Sequence, residues 1–124
     1  MSEWTLIDEV AAGTPTPGGG AAAAYVGALG SALNSMVGNL TVGKKSYVDV
    51  EDQVKECLSQ LQRVREELLA LSKKDSEAFA PLAACFKMPR ATEEEKAQRT
   101  KAMQKALIDA IEVPLSIMLS LIHI

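Results

Sequence analysis

Residues 14–47 read TPTPGGGAAAAYVGALGSALNSMVGNLTVGKKSY, and this stretch decides the fold. No charged residue lies between Glu9 and Lys44. Each proline pushes the residue before it towards extended geometry, and glycine permits backbone angles that are closed to other residues. We therefore predict that a helix begins at the triple glycine, residues 18–20, and runs to about residue 39 or 40.

Small residues dominate this helix and restrict how it packs. Its larger apolar residues form one stripe, consisting of Leu29, Leu33, Met36, Val37 and Leu40. The other sides of the helix carry residues with small side chains or none, at Gly27, Gly30, Ser31 and Gly38. An internal glycine costs about 1 kcal/mol relative to alanine, so their repeated use indicates that a neighbouring backbone approaches closely. That neighbour is either another helix of the chain or a second subunit.

The flanking segments also have helical patterns. Residues 4–12 form a short amphipathic segment, and residues 50–86 form a long one. The apolar stripe of the long segment has three- and four-residue steps, at Val54, Cys57, Leu58, Leu61, Val64, Leu68 and Leu71. Because no strand pattern occurs, we predict an all-α fold, a helical bundle with a small-residue central helix and a long amphipathic helix.

The last third of the chain predicts one more helical region. Thr92 and Glu95 have the spacing of a capping box, which predicts that a helix begins there. Pro114 either kinks this helix or starts a new one. Residues 115–124, LSIMLSLIHI, are apolar nearly all round, and such a segment is expected in a core.

Composition argues against several classes of protein. Charged residues make up 23% of the 124 residues and the formal net charge is -3, which indicates neither a disordered chain nor a basic nucleic-acid surface. The two cysteines, Cys57 and Cys85, lack a second pair and give no zinc signature, so we expect no metal site. The opening MSEWTLIDEV has no basic region typical of a secretory signal. We expect a cytoplasmic protein without a nucleic-acid or membrane partner.

A membrane helix is the minor alternative. Residues 21–42 are uncharged and long enough to span a bilayer. However, alanine, glycine, serine and asparagine make the segment only weakly apolar. Tight packing within a folded domain explains the same composition better.

The first candidate site is the turn that opens the central helix, formed by Pro17, Gly18, Gly19 and Gly20. Free N–H groups and the helix dipole make such an end suitable for an anion. The sequence is neither a Walker loop nor GxGxxG, and no strand precedes it. A tight helix entry without a ligand explains the motif as well.

The second candidate is the turn that closes the helix. Lys44 and Lys45 have the charge to pair with carboxylates or phosphates, and Tyr47 can stack or donate a hydrogen bond. Asn39, one turn earlier, can hold a polar ring edge by donor and acceptor bonds together. The alternatives are a solvated turn for Lys44, Lys45 and Tyr47 and helix capping for Asn39.

Asp75 is the third candidate, because it falls where the long helix pattern requires an apolar residue. Desolvation favours the protonated form of a carboxyl, which is what general acid/base chemistry near neutrality needs. The alternative is a structural carboxylate paired with a lysine or with a helix end. The only histidine, His123, lies on the apolar tail and is a poor candidate for catalysis.

Several motifs taken together resemble a known family. They are LIDEVAAGTPTPGGGAAAAYVGALGSALNSMVGNLTVGKKSY (residues 6–47), DSEAF (75–79), KMPRATEEEKAQR (87–99) and ALIDAIEVPL (106–115). Each piece alone is weak, but the combination is similar to the cyclodeaminase/cyclohydrolase family. That family includes the cyclodeaminase domain of formimidoyltransferase-cyclodeaminase and bacterial methenyltetrahydrofolate cyclohydrolases.

The resemblance implies an all-helical domain that forms a homodimer and binds a tetrahydrofolate derivative, polyglutamylated or not, with no metal and no further cofactor. Members either expel ammonia from 5-formimidoyltetrahydrofolate to give the 5,10-methenyl form, or hydrolyse that form to 10-formyltetrahydrofolate. The sequence does not decide between the two. The alternative function is a non-catalytic helical module for dimerisation or binding.

The chemistry of the residues suggests roles towards such a substrate. Lys44 and Lys45 would pair with carboxylates of the glutamate tail, and Asn39 would bind the pterin. The glycine turn would take a carboxylate or the pterin edge, and Asp75 would transfer the proton. The family's usual serine after PGGG is Ala21 here, which removes one hydroxyl contact.

The resemblance also predicts the extent of the domain. Residues 1–124 correspond to the N-terminal part of a cyclodeaminase/cyclohydrolase-like domain, because family members continue with further helices. Residues 117–124 do not resemble family sequence, and we interpret them as an atypical tail.

Overall fold

The computed structural model describes residues 3–123, which contain no strand. Four α-helices are present in this range: α1 (Glu3–Ala11), α2 (Gly19–Thr41), α3 (Glu51–Phe86) and α4 (Glu93–Ile122). A 3₁₀ segment, Lys45–Val50, lies between α2 and α3. The predicted all-α fold is therefore confirmed, and the ends predicted for α2 and α3 are correct to within two residues.

The prolines interrupt neither long helix. Pro81 lies inside α3 and Pro114 lies inside α4. The proposal that a new helix starts at Pro114 is therefore wrong. The capping box at the start of α4 is confirmed, since Thr92 Oγ1 accepts a hydrogen bond from the N–H of Glu95 at 3.1 Å and Glu95 Oε2 accepts one from the N–H of Thr92 at 3.1 Å.

The small residues of α2 face inward. Its buried positions are Ala21, Ala24, Gly27, Ala28, Ser31 and Ser35. They pack against α3, which runs antiparallel to α2: Ala21 lies beside Ser72, and Gly38 lies beside Leu58. A Cβ added at Gly38 would come within 2.7 Å of Leu58 Cδ2, so the neighbour that comes close at this glycine is a side chain of α3, where a backbone was predicted.

Two apolar clusters hold the helices together. The first joins α2, α3 and α4 and consists of Ala24, Ala28, Leu68, Leu71 and Ile117, with Val64 and Val113 beside them. The second joins α3 and α4 near their connection and consists of Leu82, Cys85 and Ala106, with Phe79, Met88, Ala102 and Met103 around them. α2 and α3 are thereby fixed as a pair, with α4 packed against both.

Two expectations about burial are wrong, and one is tested only in part. A Cβ added at Gly30 would meet nothing within 4 Å in this chain, so of the two predicted neighbours another helix of the chain is excluded there and a second subunit stays a prediction. Cys57 is exposed because it lies off the line that contacts α2. In the tail, Ile117 and Ser120 are buried, but Leu115, Met118, Leu119 and Ile122 are 51–75% exposed, because α4 presents only one side to α2 and α3.

The large apolar stripe of α2 lies on the outer side of the helix. Its members, together with Val26, are 52–66% exposed. The side of α2 that carries the small residues forms the contact with α3, where Leu68 and Leu58 fill the space beside Gly27 and Gly38. None of the helices in residues 3–123 combines the length and the apolar character that a bilayer span requires.

Candidate functional site

The start of α2 is held by two side chains from α3. The residue before the helix, Gly18, has no side chain to cap it. Instead, Asp75 Oδ2 accepts a hydrogen bond from the N–H of Ala21 at 2.9 Å. Ser72 Oγ donates to the carbonyl oxygen of the same residue at 2.9 Å. Because helix starts leave several N–H groups without backbone partners, the Asp75 carboxylate satisfies one of them.

Gly20 makes room for this carboxylate. A Cβ at Gly20 would overlap Asp75 Oδ1 and come within 2.6 Å of Asp75 Cγ. By contrast, a Cβ at Gly19 would have nothing within 4 Å. The third glycine of the PGGG motif is therefore required by the approach of a side chain from α3, and the second is not.

Asp75 lies on the inward side of α3 and is half-buried. Of the alternatives open from sequence, its contact with a helix end is present in the structure. Its second oxygen, Oδ1, accepts no hydrogen bond from the groups of the chain that the structure describes. The proton-transfer role predicted for Asp75 is not tested by this geometry and stays a prediction.

A cleft of about 870 Å³ opens beside this helix start, between α1, α2 and α3. Its lining consists of Leu6, Glu9, Thr16, Pro17, Tyr25, Ala28, Leu29, Ala32, Arg65, Leu69, Ser72, Lys73, Ser76 and Glu77. Thr16, Pro17 and Ser76 mark the end near Asp75, which itself lies beside the cleft and not in its lining. The size and the mixture of apolar walls with a few polar groups are typical of small-molecule sites.

Arg65 marks the other end of the cleft. Its side chain is half-buried, and its Nη1 donates to Ser35 Oγ at 3.1 Å. Ser35 is itself buried and donates to the carbonyl oxygen of Ser31 at 3.0 Å. Among the described residues no ion pair reaches Arg65. A guanidinium has five N–H donors, so Arg65 keeps donors for a ligand.

The residues predicted at the end of α2 lie far from Asp75. Because a helix rises about 1.5 Å per residue, the 21 steps from Gly20 to Thr41 separate the two ends by about 30 Å. Asn39, Lys44, Lys45 and Tyr47 are all exposed there. Within one chain, the turn formed by Pro17, Gly18, Gly19 and Gly20 therefore lies close to Asp75. The residues predicted at the end of α2 do not lie near this turn.

The turn after α2 is held by an acidic side chain. Gly43 has a φ of 84°, in the left-handed region that favours glycine. Its N–H donates to Glu51 Oε1 at 2.7 Å. Glu51 also pairs with Lys55 at 3.7 Å. A carboxylate of the chain thus already binds the backbone donor that an anionic ligand would use at this turn.

The sequence interpretation missed Arg65 and Ser72, although a signal for both exists. Starting from Val54, alternating steps of four and three residues reach positions 58, 61, 65, 68, 72, 75, 79 and 82. Arg65, Ser72 and Asp75 are the polar members of this series. All three contact α2, so each polar residue on the inward line marks a contact with that helix.

The formiminotransferase-cyclodeaminase family model matches residues 4–124. The chain belongs to this family. Within residues 3–123, the structure holds no group of three or more His, Cys, Asp or Glu side chains placed to bind a metal ion. The helices, the glycine turn and the cleft described above are therefore features of a member of the formiminotransferase-cyclodeaminase family.

Named relatives include both types of enzyme. The chain is 46% identical over 112 residues to a methenyltetrahydrofolate cyclohydrolase of Methylorubrum extorquens, covering 90% of this chain and 54% of that protein. It is 37% identical to the formimidoyltransferase-cyclodeaminase of Rattus norvegicus, covering 90% of this chain and 21% of that protein. The chain thus spans about half of the bacterial relative and a fifth of the rat relative.

A solved structure has the same fold. The formiminotetrahydrofolate cyclodeaminase of Thermotoga maritima superposes with a TM-score of 0.79 at 37% sequence identity. The match covers 97% of this chain and 56% of that one. The arrangement of α1–α4 is therefore the arrangement found in about half of a cyclodeaminase.

Proposed function

We propose that the chain is part of an enzyme acting on the one-carbon bridge between N5 and N10 of a tetrahydrofolate derivative. The observation that carries the proposal is the cleft between α1, α2 and α3, with Pro17 of the glycine turn in its lining and the Asp75 carboxylate beside that end. The names of the relatives supply the substrate class. Because the chain spans about half of its bacterial relatives, the activity of the whole enzyme is part of the proposal.

Hydrolysis of 5,10-methenyltetrahydrofolate is the first candidate, favoured by the 46% identity to a cyclohydrolase. The oxygen of a water molecule bonds to the bridge carbon and loses a proton. The bond from that carbon to N5 then breaks as the new hydroxyl loses its own proton and becomes the formyl carbonyl, and N5 takes up a proton. The products are 10-formyltetrahydrofolate and one released proton, so a group that both accepts and donates a proton assists both steps.

Cyclodeamination is the second candidate, favoured by the fold match to a cyclodeaminase. Here N10 of 5-formimidoyltetrahydrofolate bonds to the bridge carbon and loses its proton. The bond from that carbon to the imino nitrogen breaks, and ammonia leaves after the nitrogen has gained protons. The balance consumes one proton and gives the 5,10-methenyl form, so the same acid/base group serves both reactions.

Each predicted residue has a role in this proposal. Asp75 Oδ1, the oxygen not bonded to Ala21, transfers the proton. The N–H groups of the turn at residues 17–20 bind a polar edge of the pterin, since a helix start offers donors. Lys44, Lys45, Asn39 and Tyr47, about 30 Å away along α2, bind the extended part of a polyglutamate tail or act at the site of a second copy.

The proposed quaternary state is a homodimer in which the outer stripe of α2 forms the contact. Large apolar patches on a protein surface mark interaction sites, and the stripe runs along most of α2. The proposed setting is the cytoplasm, where folate derivatives are interconverted.

The decisive experiment follows methenyl absorbance with each of two substrates. Loss of absorbance from 5,10-methenyltetrahydrofolate above the uncatalysed rate identifies a hydrolase. Appearance of absorbance from 5-formimidoyltetrahydrofolate identifies a deaminase. The Methylorubrum relative serves as the positive control for hydrolysis, and isothermal titration with 5-formyltetrahydrofolate measures binding independently of turnover. A folded chain that neither binds nor turns over any of these compounds would instead be a non-catalytic module.

A further inference from the structure

Arg65 is the half-buried cation of the cleft and has no role in the function proposed above. The other charged groups in the lining are Glu9, Lys73 and Glu77. Lys73 and Glu77 are exposed and pair loosely with each other at 3.9 Å. Glu9, on α1, forms no ion pair with Arg65 among the described residues. The guanidinium is therefore the group in the cleft best suited to bind an anion.

The anchoring of Arg65 fixes where such an anion binds. Ser35, on the buried face of α2, accepts one N–H of the guanidinium at 3.1 Å. This bond restrains the long side chain against α2, and Arg65 lines the cleft with N–H groups that the bond to Ser35 does not use. Because the guanidinium is planar and forked, it matches the two oxygens of a carboxylate.

The length of the cleft sets the distance between Arg65 and the end near Asp75, where the reaction is proposed. Ten residues separate Arg65 from Asp75 along α3, which corresponds to about 15 Å. The cleft between them has apolar walls that include Tyr25 and Leu69. A ligand that fits this cleft has a polar ring at one end, a flat apolar middle and a carboxylate at the other end.

We propose that Arg65 binds a carboxylate of the first glutamate of the tetrahydrofolate substrate, with the aminobenzoyl ring between Tyr25 and Leu69 and the pterin at the glycine turn. This inference rests on the proposed function, because it takes the substrate class from there. It assigns to Arg65 the first carboxylate contact that sequence alone suggested for Lys44 and Lys45. Those lysines lie about 30 Å from the reacting end, beyond the reach of a single glutamate.

Two probes that differ only in the glutamate test the assignment. Isothermal titration of the full chain compares 5-formyltetrahydrofolate with the primary amide of 5-formyltetrahydropteroate, in which a neutral amide NH2 replaces the glutamate. For Arg65→Ala we expect about 10- to 100-fold weaker binding of the first probe, and binding of the second probe equal to that of the unaltered chain. Arg65→Lys should recover part of the loss, because it keeps the charge but not the fork.

Arg63→Ala is the matched control, since Arg63 lies on the same helix, is exposed and is absent from the cleft lining. It should bind both probes normally. Helical circular dichroism of each variant checks that loss of the Ser35 bond leaves the fold intact, and the Arg65→Lys titration gives the answer if Arg65→Ala does not fold.

The outcomes separate this inference from the function on which it rests. Unchanged binding of 5-formyltetrahydrofolate by Arg65→Ala, or equal loss for both probes, overturns the role of Arg65 while the folate function stands. If the unaltered folded chain binds neither probe, the proposed function itself is wrong, and the assignment of Arg65 is wrong with it.

Discussion

The first turn of α2 takes its capping oxygen from Asp75, 54 positions further along the chain. A helix is usually capped by the residue that precedes it, whose side-chain oxygen accepts from one of the first N–H groups. Gly18 cannot do this. The cap is therefore supplied by a neighbouring helix, and Gly20 must lack a side chain for the carboxylate to reach Ala21. This one contact ties the PGGG motif to the DSEAF motif.

Gly20→Ala is expected to destabilise the fold. The new methyl group would overlap the Asp75 carboxylate, and the loss of the cap together with overpacking should cost about 1–3 kcal/mol in the free energy of unfolding. Urea denaturation followed by circular dichroism measures this. Gly19→Ala is the control, because its methyl group meets nothing within 4 Å, and it should leave the midpoint unchanged or raise it. Equal urea midpoints for the two variants would show that the close contact between Gly20 and the Asp75 carboxylate does not limit the size of residue 20.

Two substitutions at Asp75 separate capping from catalysis. The side-chain oxygen of asparagine can still accept the Ala21 N–H, so Asp75→Asn should keep the fold, whereas Asp75→Ala should lose about 0.5–2 kcal/mol in the free energy of unfolding. If Asp75 transfers the proton, both variants should lose about 100- to 10,000-fold in kcat. The measurements are kcat and the urea midpoint for each variant. Near-normal turnover by Asp75→Asn would restrict Asp75 to the capping role.

At the scale of helices, the contact between α2 and α3 depends on pairing small residues with large ones. Leu68 is fully buried and lies against Gly27, where a Cβ would be only 3.2 Å from Leu68 Cδ1. Leu68→Ala should therefore leave a cavity that α2 cannot fill and cost about 2–5 kcal/mol. Leu69→Ala, at a position 46% exposed, is the control and should cost clearly less. Equal denaturation midpoints for Leu68→Ala and Leu69→Ala would show that the buried contact of Leu68 contributes little to the free energy of unfolding.

The start of α4 supplies a local prediction. Thr92→Ala removes the hydroxyl that accepts from Glu95 N–H and should cost about 0.5–2 kcal/mol. Thr100→Ala, inside the same helix, removes a hydroxyl that bonds only to the carbonyl oxygen of Lys96, and alanine is the better helix former. We expect the thermal midpoint to fall for the first variant and not for the second. A fall for both would point to a general effect of losing threonine.

Features of the helices that depend on local rules could be predicted from sequence. Thr92 and Glu95 mark the start of α4 by their spacing alone, and the apolar period placed Asp75 on the inward side of α3. The bonds from Asp75 to Ala21 and from Arg65 to Ser35 could not be predicted, because they depend on how α2 and α3 align. Capping and periodicity rules apply within one helix and do not predict how two helices align.

Burial could be predicted only where one face of a helix was apolar. α2 has two apolar faces, a small one and a large one, and sequence does not rank them. The small face leaves room for side chains such as Leu58, Leu68 and Asp75 of α3 and therefore forms the contact. Leu33 and its neighbours remain outside. For α4, an apolar composition all round predicted burial of Met118 and Leu119, but only the side that meets α2 and α3 is covered.

At the scale of the whole molecule, the cleft and the outer stripe lie on the same helix. Leu29 belongs to both, since it lines the cleft and is more than half exposed. A partner packed on the stripe would therefore cover part of the cleft wall. Dimerisation and ligand binding are expected to be coupled for this reason, because a contact that orders Leu29 also shapes the site.

Leu33→Lys tests the stripe as a contact between two copies. Leu33 lies near the middle of the stripe and is 54% exposed, so a lysine there should be tolerated in the monomer, while its charge would be buried without a partner in the dimer. Sedimentation velocity should show a dimer for the unaltered chain and a monomer for the variant. Val48→Lys, an exposed apolar position off the stripe, should remain dimeric. A monomeric unaltered chain, or a Leu33→Lys variant that still dimerises, would show that the stripe of α2 does not join two copies.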